Sequence, residues 1–361
     1  MKIFLAALLV AAIFVAGCTG QSPILQELSP ASIVVTATPS MPSATPQATI
    51  LQRPTATITA TTFPMTSVDE LDVDIYPLDT EAEPLRFVVV DDSIWVSIPG
   101  DNTIRQIDVK SKQEVAKIAV GMPYSNFAVG FNSVWIVSNS NDELVRIDTE
   151  TSAITAKIDL KFMDYRDIMA SEDGVWVTSD KKGILARIDP ETNQVVDEYE
   201  VEPNSALVVA GFDSVWVANY NYDYGTIQRL DPKTKQVIAT INAGKNPMQL
   251  EAAEGAVWEY SFGEGAIYRI DPATNEFEVI PVFDPYTWAS FAVSNGAIWL
   301  TTSTRLLTVL DLETKQITRM YGGASTSSSS FYIRAYDGTV WILRGNQGSS
   351  TNAIWRVNKP E

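Results

Sequence analysis

Hydrophobic and polar residues alternate in short runs along most of this chain, and turn residues separate the runs. One stretch shows the pattern well, because Ala206 to Ala210, Val215 to Asn219, Gly225 to Leu230 and Gln236 to Ile241 follow one another closely. The turn Asp231 to Thr234 stands before the last run, with proline in the second position that such turns favour. Alternation with a period of two predicts four consecutive β-strands that pair as one antiparallel sheet.

The same pattern recurs seven times, and a tryptophan marks each copy. Successive members of the series are 40, 41, 40, 42, 41 and 42 residues apart. A period of 40 to 45 residues built of strands is typical of one propeller blade. We therefore predict an all-β fold, a seven-bladed β-propeller of four-stranded antiparallel blades. The seven residues are Trp95, Trp135, Trp176, Trp216, Trp258, Trp299 and Trp341.

These tryptophans are interpreted as core residues. A single ligand cannot touch seven equivalent sites, whereas each blade needs a wide apolar side chain to pack on its neighbour. A second repeated feature, an arginine two places before a turn residue, is interpreted as a structural ion pair or a turn clamp. This arginine recurs as Arg146, Arg187, Arg229, Arg269 and Arg356.

The seventh repeat is one strand short. Phe331 to Ala335, Thr339 to Leu343 and Ala353 to Val357 give only three strands before the sequence stops. Asp72 to Pro77 precedes the first full repeat and alternates like a strand. We predict that this N-terminal strand completes the last blade and closes the ring, which removes an exposed sheet edge.

The first residues predict export and a lipid anchor. Lys2 precedes an apolar run from Ile3 to Ala16 that is too short to span a bilayer, as in a secretory signal peptide. The run ends in Val15-Ala16-Gly17-Cys18, which resembles the bacterial lipoprotein box, and Cys18 is the only cysteine of the chain. We predict a signal peptide over 1–17 and lipidation of Cys18, with an ordinary signal peptide and a chance cysteine as the alternative.

A stalk is predicted between Cys18 and the repeats. In the segment 29–67, 21 of 39 residues are serine, threonine or proline, a composition that cannot form a packed core. The expected organisation is a lipidated cysteine and stalk over 18–69 and the propeller over 70–361. The protein is then extracytoplasmic, anchored by lipid to the cell membrane or the outer membrane.

Charge and composition exclude several functions. The formal net charge is −18, so the chain has no basic surface for nucleic acid, and the lipid alone would hold it at a membrane. There is no histidine at all, and no pattern for a metal site, a nucleophile triad or a phosphate loop. We expect no metal, no cofactor and a monomer.

The repeat resembles known propeller families. The resemblance rests on Ser214 to Asn219, Gly225 to Pro232, Val237 to Ile241, Gly244 and Pro247. They are similar to the YVTN-type surface repeat and to the repeat of the virginiamycin B lyase superfamily, over about residues 71 to 358. The lyase resemblance implies a metal-assisted elimination with a histidine base. Since this chain has no histidine, no catalytic residue is carried over.

Candidate ligand residues come from the loops that enter each innermost strand and from those between the second and third strands. All these loops share one face of a propeller, where function normally lies. Their aromatic and amide side chains suit a sugar or an extended peptide. Packing over a neighbouring blade is the alternative for the tyrosines and for Trp288. The candidates are Tyr124, Asn126, Tyr165, Arg166, Tyr220, Tyr222, Tyr224, Tyr286 and Trp288.

The sequence thus favours a non-enzymatic binding or interaction module whose partner is an envelope glycan, a peptide or a protein. Two alternatives stay open. One is a lyase-like enzyme with a base other than histidine, and the other is a structural envelope component without a dedicated ligand.

Overall fold

The computed structural model describes residues 65–67, 70–140, 142–161, 165–179, 181–221, 223–302, 307–322, 330–345 and 352–358, and of residues 165, 166, 330 and 331 it describes the backbone. The predicted signal peptide, Cys18 and most of the predicted stalk lie outside these residues. No helix in the described ranges is long and apolar enough to cross a membrane.

Blades one to four each contain four antiparallel strands in chain order from the centre outwards. Blade one holds β3 (Arg86–Val90), β4 (Ser93–Ile98), β5 (Thr103–Asp108) and β6 (Glu114–Ala119), with a short 3-10 turn at Pro99–Asp101. Blade two holds β7 (Ala128–Gly130), β8 (Ser133–Ser138), β9 (Glu143–Asp148) and β10 (Ile154–Asp159). Blade three holds β11 (Tyr165–Ser171), β12 (Gly174–Ser179), β13 (Ile184–Asp189) and β14 (Gln194–Glu200). Blade four holds β15 (Ser205–Gly211), β16 (Ser214–Asn219), β17 (Gly225–Asp231) and β18 (Gln236–Ala243).

Blades five to seven complete the ring. Blade five holds β19 (Pro247–Ala253), β20 (Ala256–Ser261), β21 (Ala266–Ile270) and β22 (Phe277–Pro281). Blade six holds β23 (Ala289–Ser294), β24 (Ala297–Thr302), β25 (Leu307–Asp311) and β26 (Ile317–Gly322). Blade seven holds β27 (Ser330–Tyr336), β28 (Thr339–Gly345), β29 (Ala353–Val357) and, on the outside, β2 (Val73–Pro77). The seven-bladed all-β fold is confirmed.

The predicted closure of the ring is confirmed in register. Strand β2 pairs antiparallel with β29, and Tyr76 lies opposite Ile354. The buried Tyr76 ring stands 5.4 Å from that of Trp341, so the N-terminal strand packs into the core of the last blade. The sequence did not predict β1 (Thr66–Ser67), which runs parallel to β26 at the outer edge of blade six.

The tryptophans of the series are core residues, as predicted. Each lies on the second strand of its blade and is between 0% and 7% exposed. In β8 every residue is buried, whereas the outermost strand β10 keeps most of its residues exposed or half-exposed. The second strands lie inside the ring and between two blades, so they read as unbroken apolar runs instead of alternating.

Two of the repeated arginines, Arg146 and Arg229, stack on their tryptophans and hold the next blade, whereas Arg187 forms an ion pair with Asp197 of its own blade. The Arg146 guanidinium lies 4.7 Å from the Trp135 ring centroid, and its Nη1 donates to Pro190 O at 2.6 Å and to Asn193 Oδ1 at 3.0 Å. Arg229 makes the same contacts with Trp216 and with the turn of blade five. The turn-clamp interpretation is confirmed for these two arginines, and the clamped turn belongs to the neighbouring blade.

Candidate functional site

Antiparallel strands place two sets of loops on one face of the ring, which we call the loop face. These are the loops that enter the innermost strands and those between the second and third strands. Four predicted ligand residues are exposed there, by 54% for Tyr124, 58% for Tyr224, 63% for Tyr286 and 59% for Trp288. Asn126 and Tyr220 are half-buried. Three further predictions, the side chains of Tyr165 and Arg166 and the whole of Tyr222, lie outside the described residues.

Two of the exposed residues meet around a third aromatic that the sequence did not single out for a site. The Phe262 ring lies 4.7 Å from the Trp288 ring and 5.6 Å from the Tyr286 ring, edge to face in the second case. We call Phe262, Tyr286 and Trp288 the aromatic cluster. Phe262 packs on the core of blades five and six, so it supports two exposed rings from below.

The loop under the aromatic cluster is held by hydrogen bonds. Tyr286 N donates to Phe262 O at 2.7 Å, and the buried Tyr260 hydroxyl donates to Thr287 O at 2.6 Å. The Thr287 side chain in turn donates to Asp284 O at 2.8 Å. These bonds hold the backbone of the loop that carries the two exposed rings, which reduces the entropy lost on binding.

Tyr286 also adopts an unusual backbone conformation. Its φ is 64°, in the left-handed region that bulky residues avoid, while the loops entering β15 and β19 place asparagine there, Asn204 at 67° and Asn246 at 52°. Holding a residue other than glycine in such a conformation costs on the order of 1 kcal/mol, and strain of this kind is concentrated at functional sites. Asparagine tolerates the conformation better, so tyrosine at this position costs some free energy of folding.

The loop that carries Tyr220 and Tyr224, between β16 and β17, is connected to the aromatic cluster through backbone hydrogen bonds. Asn246 N donates to Asn221 O at 3.0 Å, and Phe262 N donates to Asn246 O at 3.1 Å. Tyr224 follows on the same loop, but no ring contact among the described residues joins it or Tyr124 to the cluster. The structure thus unites Tyr286 and Trp288 and leaves the other exposed tyrosines apart.

A second candidate site lines the central channel. The residue nine places before each tryptophan of the series lies in the first part of an innermost strand or, for Asn126, just before it, and six of the seven are polar. We call this set the belt. It consists of Arg86, Asn126, Asp167, Leu207, Gln249, Ser290 and Tyr332.

On one side of the channel the belt joins blades one to four. Arg86 Nε donates to Asn126 Oδ1 at 3.0 Å, and Asn126 Nδ2 donates to Asp167 Oδ1 at 2.6 Å. Asp167 Oδ2 then accepts from Val208 N at 3.1 Å. Asn126, predicted as a ligand residue, therefore has both polar atoms engaged in holding blades together.

On the other side the belt joins blades five to seven. Gln249 Oε1 accepts from Ser290 Oγ at 2.9 Å and from Phe291 N at 3.1 Å, and Ser290 Oγ accepts from Ile333 N at 3.3 Å. The Tyr332 hydroxyl donates to Asn126 Oδ1 at 2.8 Å and so links blade seven with blade two. Apolar Leu207 interrupts the belt at blade four.

Two residues further along each innermost strand is a second set of equivalent positions, which is mainly apolar but contains two charged residues. The residue seven places before each tryptophan is paired with it in register, and in blades five and seven this residue is Glu251 and Arg334. We call the set the inner ring. Its members are Val88, Ala128, Met169, Val209, Glu251, Ala292 and Arg334.

Burial shifts the ionisation of the charged channel residues. Removal from water raises the pKa of the Asp167 carboxyl, against which its hydrogen bonds act, and raises the pKa of Glu251 to about 7. Burial also lowers the pKa of Arg86, and that of Arg334 to about 10. An arginine side chain in a protein keeps its charge at neutral pH. The channel therefore holds two cations beside two acids whose ionisation is disfavoured.

Sequence reasoning did not find Arg86, Glu251, Tyr332 or Arg334. Tyr332 and Arg334 lie in the predicted strand Phe331 to Ala335, and Arg86 and Glu251 lie on the innermost strands of their own repeats, where a single polar residue carries no signal. The signal was the fixed offset from the tryptophans: aligning the seven copies places unlike polar residues at one position of each innermost strand. Among the described residues no group of three histidine, cysteine, aspartate or glutamate side chains could hold a metal ion.

Comparisons with known proteins show the fold and no family. No protein-family model matches this sequence, and no curated protein matches it. Among solved structures the chain is similar to the hydrazine synthase of Kuenenia stuttgartiensis, at 12% identity and a TM-score of 0.62, covering 79% of this chain and 97% of that one. It is also similar to the computationally designed Ika8 protein, at 12% identity and a TM-score of 0.57, covering 77% and 98%. At these identities the likeness establishes a propeller, a fold that in general supports a binding or interaction module.

Proposed function

We propose that this protein is a non-enzymatic binding module that recognises an envelope glycan on the aromatic cluster of its loop face. The observation that carries the proposal is the pair of exposed rings, Tyr286 and Trp288, which the buried side of Phe262 and a hydrogen-bonded loop hold in position. Exposed aromatic rings beside polar backbone groups suit the apolar faces and hydroxyl groups of a sugar.

Burial and strain support a ligand at this place. A lone exposed aromatic needs no explanation, but a cluster of exposed rings indicates a contact surface. Asparagine adopts a left-handed conformation in two other loops of the same face, at Asn204 and Asn246, whereas the loop entering β23 places an exposed tyrosine in that conformation. The proposal assigns the exposed Tyr286 ring to contact with the ligand.

We further propose that lipid on Cys18 and the serine-, threonine- and proline-rich stalk display the propeller at the outer side of a membrane. Support comes from the sole cysteine at a lipoprotein-like box and from the composition of segment 29–67. An extended stalk of this length would carry the loop face on the order of 100 Å from the bilayer. This arrangement suits a ligand that is part of the cell envelope and not of the membrane surface.

The lyase-like alternative has one specific residue in its favour. Glu251 lies on the channel wall with Arg334, and burial raises its pKa to about 7, the range that suits a general base. Substrate turnover that Glu251→Gln abolishes would favour this alternative over a binding module.

The test of the binding proposal is calorimetric titration of the purified full-length chain in detergent with chitohexaose, cellohexaose and soluble peptidoglycan fragments. Trp288→Ala and Tyr286→Asn should each weaken binding about tenfold or more, since each removes one stacking surface. Asparagine is chosen because it fits the left-handed backbone at this position, so the ring is lost without new strain.

Phe212→Asn is the matched control. Phe212 is also an exposed aromatic with a positive φ, 56°, but it lies in a turn between first and second strands, on the opposite face. It should bind sugar like the unaltered chain. Sugar affinity of Trp288→Ala equal to that of the unaltered chain would refute the glycan proposal, as would no binding of any of these sugars by the folded unaltered chain. Binding of an extended peptide instead would show that the aromatic cluster recognises a peptide.

A further inference from the structure

Two arginines converge on one tyrosine ring in the central channel. The Arg86 Cζ atom lies 4.7 Å and the Arg334 Cζ atom 4.2 Å from the Tyr332 ring centroid. The two guanidinium carbons are therefore no more than about 9 Å apart, on the innermost strands of neighbouring blades. Two like charges held this close in a partly desolvated channel repel each other, and the pKa of Arg334 is lowered by burial and, to a smaller extent, by Arg86.

Both guanidiniums have donors to spare. Arg86 uses Nε for Asn126 and Nη1 for Leu85 O, at 2.9 Å, and Nη2 has no hydrogen bond to the described residues. No hydrogen bond to a described residue is found for Arg334, although an arginine carries five donors. Unused donors beside the channel can be taken up by an incoming oxygen.

The nearby carboxylates do not occupy these donors. Asp167 directs its oxygens to Asn126, to Ile168 N at 2.9 Å and to Val208 N, and Glu251 Oε1 accepts from Val293 N at 3.0 Å. No ion pair within 4.0 Å joins either arginine to a carboxylate among the described residues. The acids attract the arginines through space but leave the hydrogen-bonding positions open.

Solvent reaches this part of the channel. Arg86, Glu251 and Arg334 are half-buried and therefore not fully enclosed, although they lie on the innermost strands that border the channel. Val88, Met169 and Val209 of the inner ring are half-buried in the same way and give the channel an apolar wall beside the charges.

We propose that the central channel binds a small monocarboxylate whose carboxylate group accepts hydrogen bonds from Arg334 and Arg86 and whose apolar part lies along the inner ring. Planar guanidinium groups match a carboxylate in geometry. A phosphate dianion fits less well, because its second charge would be brought close to Asp167 and Glu251. This site is separate from the aromatic cluster and does not depend on the glycan proposal.

The proposal carries a linked protonation. The charged and titratable groups around the site are Arg86 and Tyr124 from blades one and two, Asp167 from blade three, Glu251 from blade five, and Tyr332 and Arg334 from blade seven. The pKa of Glu251 is already about 7, because of burial. A bound carboxylate raises it further by repulsion, so binding near neutral pH takes up a proton and weakens as the pH rises.

Sodium butyrate is the probe, added to the purified full-length chain and followed by saturation-transfer NMR and calorimetry. Arg334→Gln should lower the affinity by about tenfold to a hundredfold, the loss expected for hydrogen bonds to a charged group. Arg334→Lys keeps the positive charge but lacks the planar guanidinium group. Its affinity for butyrate should lie between those of Arg334→Gln and the unaltered chain. Arg269→Gln is the matched control, because Arg269 also stacks on an aromatic ring, at 5.6 Å from Trp258, but lies outside the channel.

Calorimetry in two buffers of different ionisation enthalpy should show proton uptake at pH 7 that disappears in Glu251→Gln while butyrate still binds. Circular dichroism establishes that each variant is folded. Butyrate binding that is unchanged in Arg334→Gln, equal competition by inorganic phosphate, or no binding to the folded unaltered chain would each overturn the proposal.

Discussion

The tryptophan of each blade and the residue nine places before it lie on paired neighbouring strands, yet they differ completely in how they repeat. The first is the same in all seven blades and is buried in every one. The second is arginine, asparagine, aspartate, leucine, glutamine, serine and tyrosine in turn, different in every blade. The space between two neighbouring blades has the same shape all around the ring, so the same residue, tryptophan, can fill it in every blade.

The channel is a different kind of space, because all seven blades share one centre. Side chains from different blades meet there and must be unlike to pair, as Asn126 does with Arg86, Asp167 and Tyr332. Repetition along this chain therefore indicates scaffold, and a break in repetition at an equivalent position indicates either closure of the ring or a site. Exposed Trp288 and strained Tyr286 are breaks of the same kind on the loop face.

The largest expected effect comes from removing the strand that closes the scaffold. Deleting residues 70–80 should lower the melting temperature by about 10 °C or more, because it takes Tyr76 and Leu78 out of the core and exposes the edge of β29. Thermal unfolding followed by circular dichroism measures this. Deleting residues 65–67 instead removes only the two-residue strand β1 and should change little, and an unchanged transition after the larger deletion would disprove closure by β2.

The second effect tests the repeated position itself. Trp216→Ala should reduce the free energy of unfolding by about 3 to 5 kcal/mol, since the side chain is fully buried and its removal leaves a cavity. The lost contacts include the hydrogen bond from Trp216 Nε1 to Gly211 O at 3.1 Å and the stacked Arg229. Urea denaturation measures the change, and a loss below about 1 kcal/mol would contradict the assignment of the series to the core.

The fold could be predicted from sequence because its determinants are local and repeated. In each blade the alternation of polar and apolar residues predicts the strands, and residues such as Asp231 predict the turns. In the structure Asp231 Oδ1 stabilises its turn by accepting a hydrogen bond from Lys233 N at 2.8 Å. The closing strand could be predicted because blade seven lacked a strand and 72–77 supplied one. Strand β1 could not be predicted, since two residues that pair on an outer edge leave no periodic pattern.

The candidate site was only partly predictable. Tyr286 and Trp288 could be placed on the loop face from strand order, but Phe262, which joins them, depends on contacts between two loops. The convergence of Arg86 and Arg334 on Tyr332 depends on the ring closing between blades one and seven, residues some 250 positions apart in the sequence. Contacts between residues so far apart in the sequence depend on how the ring closes, and no local sequence pattern predicts them.

The third effect comes from the channel and depends on pH. Burial raises the pKa of Glu251 in the folded chain to about 7, above its value in the unfolded chain, so folding favours the protonated acid. Stability from this group is present at pH 4, falls as the pH rises between about 4.5 and 7, and then levels off. Glu251→Gln should remove this dependence and stabilise the protein at pH 8 by up to about 3 kcal/mol relative to the unaltered chain.

Urea denaturation of both proteins at pH 4, 6 and 8 checks this prediction. Burial also raises the pKa of Glu259, which gives the same sign of pH dependence, but this contribution is common to both proteins and cancels in their difference. A difference in stability between Glu251→Gln and the unaltered chain that does not grow with pH would show that Glu251 is ionised without penalty, and that the inner ring is better hydrated than its burial indicates.

The smallest expected effect on stability applies the change made at Trp216 to a tryptophan outside the repeat. Trp288→Ala should alter the free energy of unfolding by no more than about 0.5 kcal/mol, because the side chain is 59% exposed and leaves no cavity. Denaturation beside Trp216→Ala makes the comparison direct. A loss of about 2 kcal/mol or more would place the Trp288 ring in the scaffold, where the packing on Phe262 explains it fully, and no ligand would be needed. A loss near zero would show that stability does not require the Trp288 ring, which is the result that the binding proposal expects.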